Sequence, residues 1–275
     1  MTDHLTKERV AIRISLAGGT GVIGSRLIPE LVAAGHEVVA TTYHTERLGY
    51  LRQRGAQGVV VDVYDAPRLA AVLAEAAPDL VLHELTDMSD FNTEANVRLR
   101  RAGTANLVAA AQAAGVDRMM VQSISRAYQD GDAPVVGDDP IVPGSAVAEM
   151  EELAGRITHA TMLRYGMLYG LGTWYAPGAR VANVVTATVQ AIGWPDGAYN
   201  IVDDEPSRQP NGCPSTRPAG CRSIPRGATA SPSSRCGLRW RYRPAQYGAR
   251  SWRLRSLPEP VRGSSFRKDT ERGHL

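Results

Sequence analysis

The stretch that decides the fold runs from Val10 to Gly24 and reads VAIRISLAGGTGVIG. Apolar side chains alternate through its first half, which is typical of a β-strand, and the alternation stops at a glycine cluster. The segment SRLIPELVAAG that follows has the spacing of an amphipathic helix. The sequence therefore predicts a strand, a tight turn and a helix in that order.

Three glycines, Gly18, Gly21 and Gly24, stand at a GxxGxxG spacing across this turn. The first permits the turn, the second lets the backbone approach a pyrophosphate, and the third lets the helix pack close to the strand. The phosphates would then lie on the open amides at the positive end of the helix dipole. Glycine-rich turns also occur without any ligand, so the prediction of a dinucleotide site depends on the strand before the turn and the helix after it.

Downstream of the turn, short apolar strands alternate with helical segments. Strands are predicted at 37–43, 58–62, 79–83, 117–123 and 160–165, and the longest helix at 92–115. Nearly continuous apolar strands joined by helices indicate an α/β fold, a doubly wound parallel sheet of the Rossmann type. Ligands bind at the carboxyl ends of the strands in such a sheet, so the stretches after His83, Ser123 and Tyr165 are candidate site segments.

The 275 residues divide into two parts of opposite charge. Residues 1–206 hold 16 Lys and Arg against 25 Asp and Glu, whereas residues 207–275 hold 15 against 3. The second part is poor in large aliphatic residues and rich in Arg, Pro, Ser and Gly, so we do not expect it to form a core. It is predicted to be either a disordered basic arm or the product of a reading-frame change.

Three segments follow from this division. Residues 1–165 form the predicted dinucleotide-binding domain, residues 166–206 a partial substrate-binding subdomain, and residues 207–275 the basic low-complexity tail. All three cysteines (213, 221 and 236) lie in the tail, and their number and setting predict neither a disulfide framework nor a metal site. No secretory leader and no apolar run of about 18 residues is found, so we expect a cytoplasmic protein without membrane or nucleic-acid partners.

Six runs then resemble a known family. The NAD-dependent epimerase/dehydratase family, the extended short-chain dehydrogenases, is similar to AGGTGVIGSRL (17–27), VVVDVYD (59–65), PDLVLHELTD (78–87), AGTANLVAAAQAAGVDRMMVQS (102–123), LRYGMLYGLGT (163–173) and YNIVDDEPS (199–207). The resemblance covers roughly residues 10–208 and ends at the basic tail.

The resemblance implies a set of cofactor contacts. The three glycines match the dinucleotide loop, together with Thr20, Val22 and Ile23 inside it. Asp62 and Val63 match the pair that flanks the adenine, and Leu85 and Thr86 match residues that line the middle of the cofactor. On the substrate side, Ser123 or Ser125 matches the serine that holds the substrate oxygen.

The end of the second predicted strand bears on which dinucleotide binds. A carboxylate there favours NAD through the ribose 2′-hydroxyl, and an arginine favours the extra phosphate of NADP. The strand ends TTYHTERL, with no acid before Glu46. We therefore favour NADP over NAD, with Tyr43 and Arg47 among the contacts, although Glu46 and Arg47 are equally compatible with ordinary solvated helix residues.

The catalytic pair of the family is missing. That pair is a tyrosine that exchanges a proton with the substrate and a lysine four residues on that acidifies it. The expected segment reads PGSAVAEMEELAG, and the only lysines of the chain are Lys7 and Lys268. Ser123 and Tyr128 are our candidate catalytic residues, ahead of Tyr165 and His83, and each also has a purely structural interpretation.

The expected function is that of an NAD(P)-dependent oxidoreductase, epimerase or dehydratase acting on a small polar or sugar-like substrate, in a protein compatible with a homodimer. Two alternatives stay open because the catalytic pair is missing. One is a non-catalytic NAD(P)-binding sensor or scaffold. The other is an enzyme on the same fold without redox chemistry.

Overall fold

A computed structural model describes residues 10–87, 93–129, 135–170, 173 and 179–203, and the backbone of 252–254. The strands are β1 (Arg13–Ala17), β2 (Glu37–Thr42), β3 (Gln57–Val60), β4 (Leu80–His83), β5 (Arg118–Ile124), β6 (His159–Tyr165), β7 (Leu168–Tyr169), β8 (Ala179–Arg180), β9 (Gly197–Asp203) and β10 (Trp252–Leu254). The helices are α1 (Gly24–Ala33), α2 (Leu48–Gln53), α3 (Ala66–Ala76), α4 (Thr93–Arg98), α5 (Thr104–Ala113), α6 (Ala146–Ala154) and α7 (Val181–Ala191).

The main sheet is parallel and has the strand order β10-β9-β6-β5-β4-β1-β2-β3. The order reverses between β1 and β4, and that reversal opens a crevice above their carboxyl ends, where ligands bind in this architecture. β7 and β8 form a separate two-stranded pair. The predicted doubly wound parallel sheet is confirmed.

Both faces of the sheet are covered, as the near-continuous apolar strands require. One face buries Leu80 and Leu82 of β4 under α1 and α7. The other buries Val81 of the same strand under α3, α5 and α6. Successive residues of β4 therefore point into opposite cores. The same alternation sets the directions of the side chains that follow β4.

The helix predicted over 92–115 differs from what the structure contains. α4 and α5 are joined by a π-helical turn at Leu99–Gly103. A Cβ at Gly103 would lie 2.9 Å from Leu99 Cδ1 and 3.3 Å from Val63 Cγ1, so only glycine fits this close approach without displacement. The continuous alanine-rich pattern concealed this local widening of the helix.

The boundary predicted at residue 165 falls inside a continuous sheet. β9 pairs in parallel with β6, from Thr161 opposite Gly197 to Tyr165 opposite Ile201, and α7 packs against α1. β9 and α7 therefore extend the sheet and the core that lies under α1, and β9 ends at the carboxyl edge of the sheet.

Within the tail, only the backbone of β10 is described, and it pairs with β9. The three cysteines and the rest of 207–275 lie outside the described residues, so the two interpretations of the tail stay predictions. Among the residues that the structure describes, no helix has the length and apolar character needed to cross a membrane.

Candidate functional site

The glycine turn after β1 packs its backbone against two neighbours. Gly18 has φ +93°, and a Cβ there would lie 2.6 Å from the carbonyl oxygen of Glu84. A Cβ at Gly24 would lie 2.2 Å from the carbonyl oxygen of Gly18. Gly19, which the sequence analysis did not single out, is held in the same way, because its Cβ would lie 2.7 Å from that of Ala40.

Gly21 differs from these glycines because a Cβ there would have one neighbouring atom within 4 Å, at a longer distance. The nearest atom to a Cβ there is the Gly18 carbonyl oxygen at 3.3 Å, and Gly21 is exposed. The amides of Val22 and Ile23 donate to no backbone carbonyl in the described part of the chain. No side chain caps the start of α1, and its first turn holds no acid. The turn thus presents open N–H groups at a positive helix end, the arrangement that binds phosphate.

The end of β2 lies beside this turn. The Thr20 and Thr42 hydroxyls are 3.4 Å apart, which joins the turn to the end of the strand. Tyr43 is 72% exposed, and its ring contacts that of His44 with the centroids 3.8 Å apart.

Beyond β2, the side chains of Glu46 and Arg47 have different surroundings. The Glu46 carboxylate lies 3.1 Å from His44 Nδ1. Arg47 is exposed, and its guanidinium has no partner among the residues that the structure describes.

The remaining predicted cofactor contacts lie along the same edge. Asp62 follows β3, is exposed, and accepts a 2.9 Å hydrogen bond from the Tyr64 amide through Oδ1. The Val63 carbonyl accepts from Asn106 Nδ2 at 3.0 Å, which fixes the loop after β3. Leu85 is half-buried and Thr86 is exposed, directly after β4.

A buried polar cluster lies below the crevice, on the face covered by α1 and α7. Glu84 is only 5% exposed, and its Oε1 lies 2.9 Å from the Tyr165 hydroxyl. That hydroxyl is also 2.7 Å from Thr188 Oγ1 of α7, and Thr188 donates to the Val184 carbonyl at 2.8 Å. Oε2 of Glu84 has no hydrogen-bond partner in the described residues.

Burial raises the pKa of the Glu84 carboxyl to about 8, so the group is protonated at neutral pH. Burial, followed by the neighbouring Glu84, also raises the pKa of Tyr165 well above its usual value. The sequence analysis missed Glu84. The available signal was an acid immediately after the apolar strand LVLH, at the edge where ligands bind.

His83 points to the opposite face of β4 and is fully buried. Its Nδ1 accepts from the Leu85 amide at 3.3 Å, so its Nε2 carries the proton and donates to Thr104 Oγ1 at 2.8 Å. Burial lowers the pKa of His83 to about 4. The ring is therefore a neutral group that orders the segment after β4.

The two predicted catalytic residues lie in a second buried network. Ser123 is 1% exposed, and its hydroxyl donates to Glu151 Oε1 at 2.5 Å. Glu151 also pairs with Arg164, whose Nε and Nη2 lie 2.9 and 2.7 Å from its oxygens. The Arg164 guanidinium lies over the Tyr128 ring, 4.8 Å from its centre, and the Tyr128 hydroxyl donates to Asn200 Oδ1 at 2.6 Å.

This network links β5, α6, β6 and β9, and it uses the hydroxyls of both candidates. Ser125, the alternative serine, is half-buried at the end of β5. Its amide donates to the Tyr165 carbonyl at 2.9 Å, and its hydroxyl makes no hydrogen bond within the described ranges. Of the two serines, Ser125 thus has the hydroxyl that is available to a ligand.

The segment where the family's tyrosine and lysine were expected forms the start of α6. Ser145 caps this helix by accepting from the Ala148 amide at 3.1 Å, and Val147 is buried in the core. Lys7 and Lys268 lie outside the described residues.

Comparison with known proteins places this geometry in a family. The sequence model for NAD(P)H-binding proteins matches residues 18–169, more than half of the chain, from the glycine turn to β7. The chain belongs to this NAD(P)H-binding family.

Within this group, the chain is 40% identical over 184 residues to a Streptomyces protein named 3-diazoavenalumate denitrifying reductase. It is 24% identical over 128 residues to the photosystem II assembly factor Ycf39 of Synechocystis. The matches span 60% and 46% of this chain, but only 59% and 37% of the two relatives.

Solved structures share the fold of this NAD(P)H-binding chain. The enzyme WbmH of Bordetella bronchiseptica, in complex with NAD+, has a TM-score of 0.60 at 20% identity over 70% of this chain and 76% of its own. UDP-glucose 4-epimerase of Thermotoga maritima, with UDP-glucose, has a TM-score of 0.58 at 19% identity over 70% and 77%. The similarity in fold to NAD-binding epimerases, expected from the sequence, is confirmed.

Proposed function

We propose that this protein is an NAD(P)H-dependent reductase that acts on a small polar electrophile. The observation that carries the proposal is the open glycine turn at the point where the strand order reverses. Gly21 is exposed, and the amides of Val22 and Ile23 are available beside it. The 40% identity to a reductase supports hydride transfer as the chemistry.

The residues along the edge divide between the two ends of the cofactor. The glycine turn would hold the pyrophosphate, Asp62 and Val63 would flank the adenine, and Leu85 and Thr86 would line the middle. Arg47 and Tyr43 would take the adenosine ribose, with the free guanidinium favouring the 2′-phosphate of NADP over NAD. When bound, the reduced nicotinamide supplies a hydride.

The substrate would lie above the ends of β5 and β6. We propose that the free hydroxyl of Ser125 orients it there, while the hydroxyls of Ser123 and Tyr128 hold the wall of the pocket in place. Tyr128 stays a candidate acid, although its proton is donated to Asn200 in the present geometry.

The missing tyrosine and lysine pair bears on the substrate class. A carbonyl that accepts hydride leaves an alkoxide that needs a proton. A diazonium carbon that accepts hydride forms a C–H bond, and the C–N bond pair leaves with dinitrogen, so no oxygen has to be protonated. Because the relative is named a denitrifying reductase of a diazo compound, we propose that aryl diazo compounds are substrates of this chain as well.

The cofactor assignment is tested by calorimetric titration of NADPH and NADH into the wild type and Gly21→Val. The valine would fill the space of the pyrophosphate, and its Cβ would contact one atom, the Gly18 carbonyl oxygen at 3.3 Å, so binding should be lost with no more than a small local shift of the turn. Gly193→Val is the matched control, because Gly193 is exposed and the nearest atom to its Cβ is 3.8 Å away. Unchanged affinity in Gly21→Val would refute the assignment.

Activity is tested by following NADPH oxidation with aryl diazonium, carbonyl and sugar-nucleotide substrates. Turnover with the diazonium panel, accompanied by release of dinitrogen, is the expected result. The alternative of a non-catalytic sensor is favoured by the missing catalytic pair. Tight NADPH binding without turnover on any panel would support the sensor and refute the reductase.

Two further predictions belong to this proposal. A homodimer is testable by sedimentation at several protein concentrations. The cytoplasmic location predicted from the sequence is testable by fractionation of cells that express the chain.

A further inference from the structure

Glu84 lies at the point where the two halves of the site meet. It follows β4 directly, and its amide donates to the Ala17 carbonyl of β1 at 2.9 Å. Gly18 packs against the carbonyl of Glu84. The adenosine half of a dinucleotide would lie over β1 to β3 in this architecture, and the nicotinamide half over β4 to β6. The buried Glu84 carboxyl would then lie below the nicotinamide half.

The hydrogen-bond directions around this carboxyl can be counted. The Tyr165 hydroxyl donates to Glu84 Oε1 at 2.9 Å, and the Thr188 hydroxyl can donate either to Tyr165 or to the Val184 carbonyl. Among the described residues, the carboxyl therefore receives one hydrogen bond at Oε1 and none at Oε2.

An ionised Glu84 would be a buried charge with a single hydrogen-bond donor, the Tyr165 hydroxyl. The ionised form would also leave the charge of an unpartnered, buried Oε2 unbalanced. The geometry of the cluster by itself therefore favours the neutral acid.

The charges near the carboxyl support the same conclusion. Tyr165 is the titratable group that faces it from β6, while α7 contributes the uncharged Thr188 and β1 contributes Ala17 and backbone. His83, the next residue along β4, points to the other face and is neutral. Among the described residues, no cation contributes to the pKa of Glu84, which is set by burial and the hydrogen bond with Tyr165. A positive charge near Glu84 would therefore have to be carried by a ligand bound in the crevice above it.

We propose that Glu84 is a redox-linked proton site, which keeps its proton when NADPH is bound and releases it to solvent when NADP+ is bound. This inference rests on the proposed cofactor site. The oxidised nicotinamide carries a positive charge that the reduced ring lacks, and opposite charges attract strongly where water is excluded. Loss of the proton from Glu84 stabilises the oxidised complex, so by linkage NADP+ binding strengthens as the pH rises.

The test is the ratio of the dissociation constants of NADP+ and NADPH, measured by calorimetry from pH 6 to pH 9. Both dinucleotides carry the same phosphates, so phosphate ionisation and ionic steering cancel in the ratio. In the wild type the ratio should fall by about tenfold or more over this range, because NADP+ gains affinity as the Glu84 proton is released. In Glu84→Gln it should stay constant within about twofold, since the amide cannot ionise.

Glu75→Gln serves as the matched control, because Glu75 is an exposed acid on α3 and its removal should leave the wild-type slope. If Glu84→Gln does not fold, proton release measured on the wild type still tests the inference. Calorimetry at pH 7 in two buffers of different ionisation enthalpy should detect close to one proton released on NADP+ binding and none on NADPH binding.

A ratio that is independent of pH in the wild type, or a slope that persists in Glu84→Gln, would overturn this inference and leave the reductase proposal standing. Equal proton release with both dinucleotides would overturn it too. Failure of both dinucleotides to bind the wild type would overturn the proposed function together with this inference.

Discussion

Replacement of Glu84 by glutamine should change how the stability of the cofactor-free protein depends on pH. The carboxyl has a pKa near 4.5 in an unfolded chain and about 8 in the folded one, because it is buried without a cation. Between these values the unfolded chain loses a proton that the folded chain keeps. The contribution of Glu84 to stability is therefore greatest below pH 4.5 and is lost as the pH rises towards 8.

The size of the effect follows from this difference. Each pH unit inside the window costs the wild type about 1.4 kcal/mol of unfolding free energy, a loss that Glu84→Gln does not suffer. From pH 5 to pH 7 the stability of the variant relative to the wild type should rise by about 3 kcal/mol. Above pH 8 the difference should become constant, since both states of the wild type are then ionised.

The assay is urea unfolding at pH 5, 6, 7 and 8, followed by circular dichroism, with the free energy extrapolated to water. Glu75→Gln, an exposed acid on α3, should run parallel to the wild type. Parallel curves for Glu84→Gln and the wild type would refute the reasoning, because they would mean that Glu84 is already ionised in the folded protein.

Two further predictions concern the second buried network and its edge. Glu151→Gln should lower the unfolding free energy by roughly 3–5 kcal/mol, because it removes the ion-pair partner of the buried Arg164. Glu152→Gln, on the exposed side of the same helix, should have little effect. Urea unfolding of the two variants measures the difference. Ser125→Ala should raise the KM of the substrate at unchanged NADPH affinity, which steady-state kinetics measures. Ser123→Ala should mainly lower stability, which thermal unfolding measures. A KM effect confined to Ser123→Ala would reverse the assignment of the two serines.

The sequence by itself determined the architecture of this protein. The alternating strand before Gly18, the glycine spacing and the apolar strands that follow specify a parallel sheet with its ligand edge at the carboxyl ends. These are local signals, because each depends on the conformation of a few consecutive residues. The glycine turn, the segments after β3 and β4, and the missing lysine could all be found in this way.

The tertiary structure alone decided which hydroxyls and carboxyls are available. Ser123 and Ser125 are two residues apart on one strand, yet one donates to a carboxylate 28 positions away and the other does not. Glu84, Tyr165 and Thr188 come from β4, β6 and α7, and no sequence spacing relates them. A proton is held where desolvation and hydrogen-bond direction favour it, and both depend on long-range packing that a local pattern does not encode.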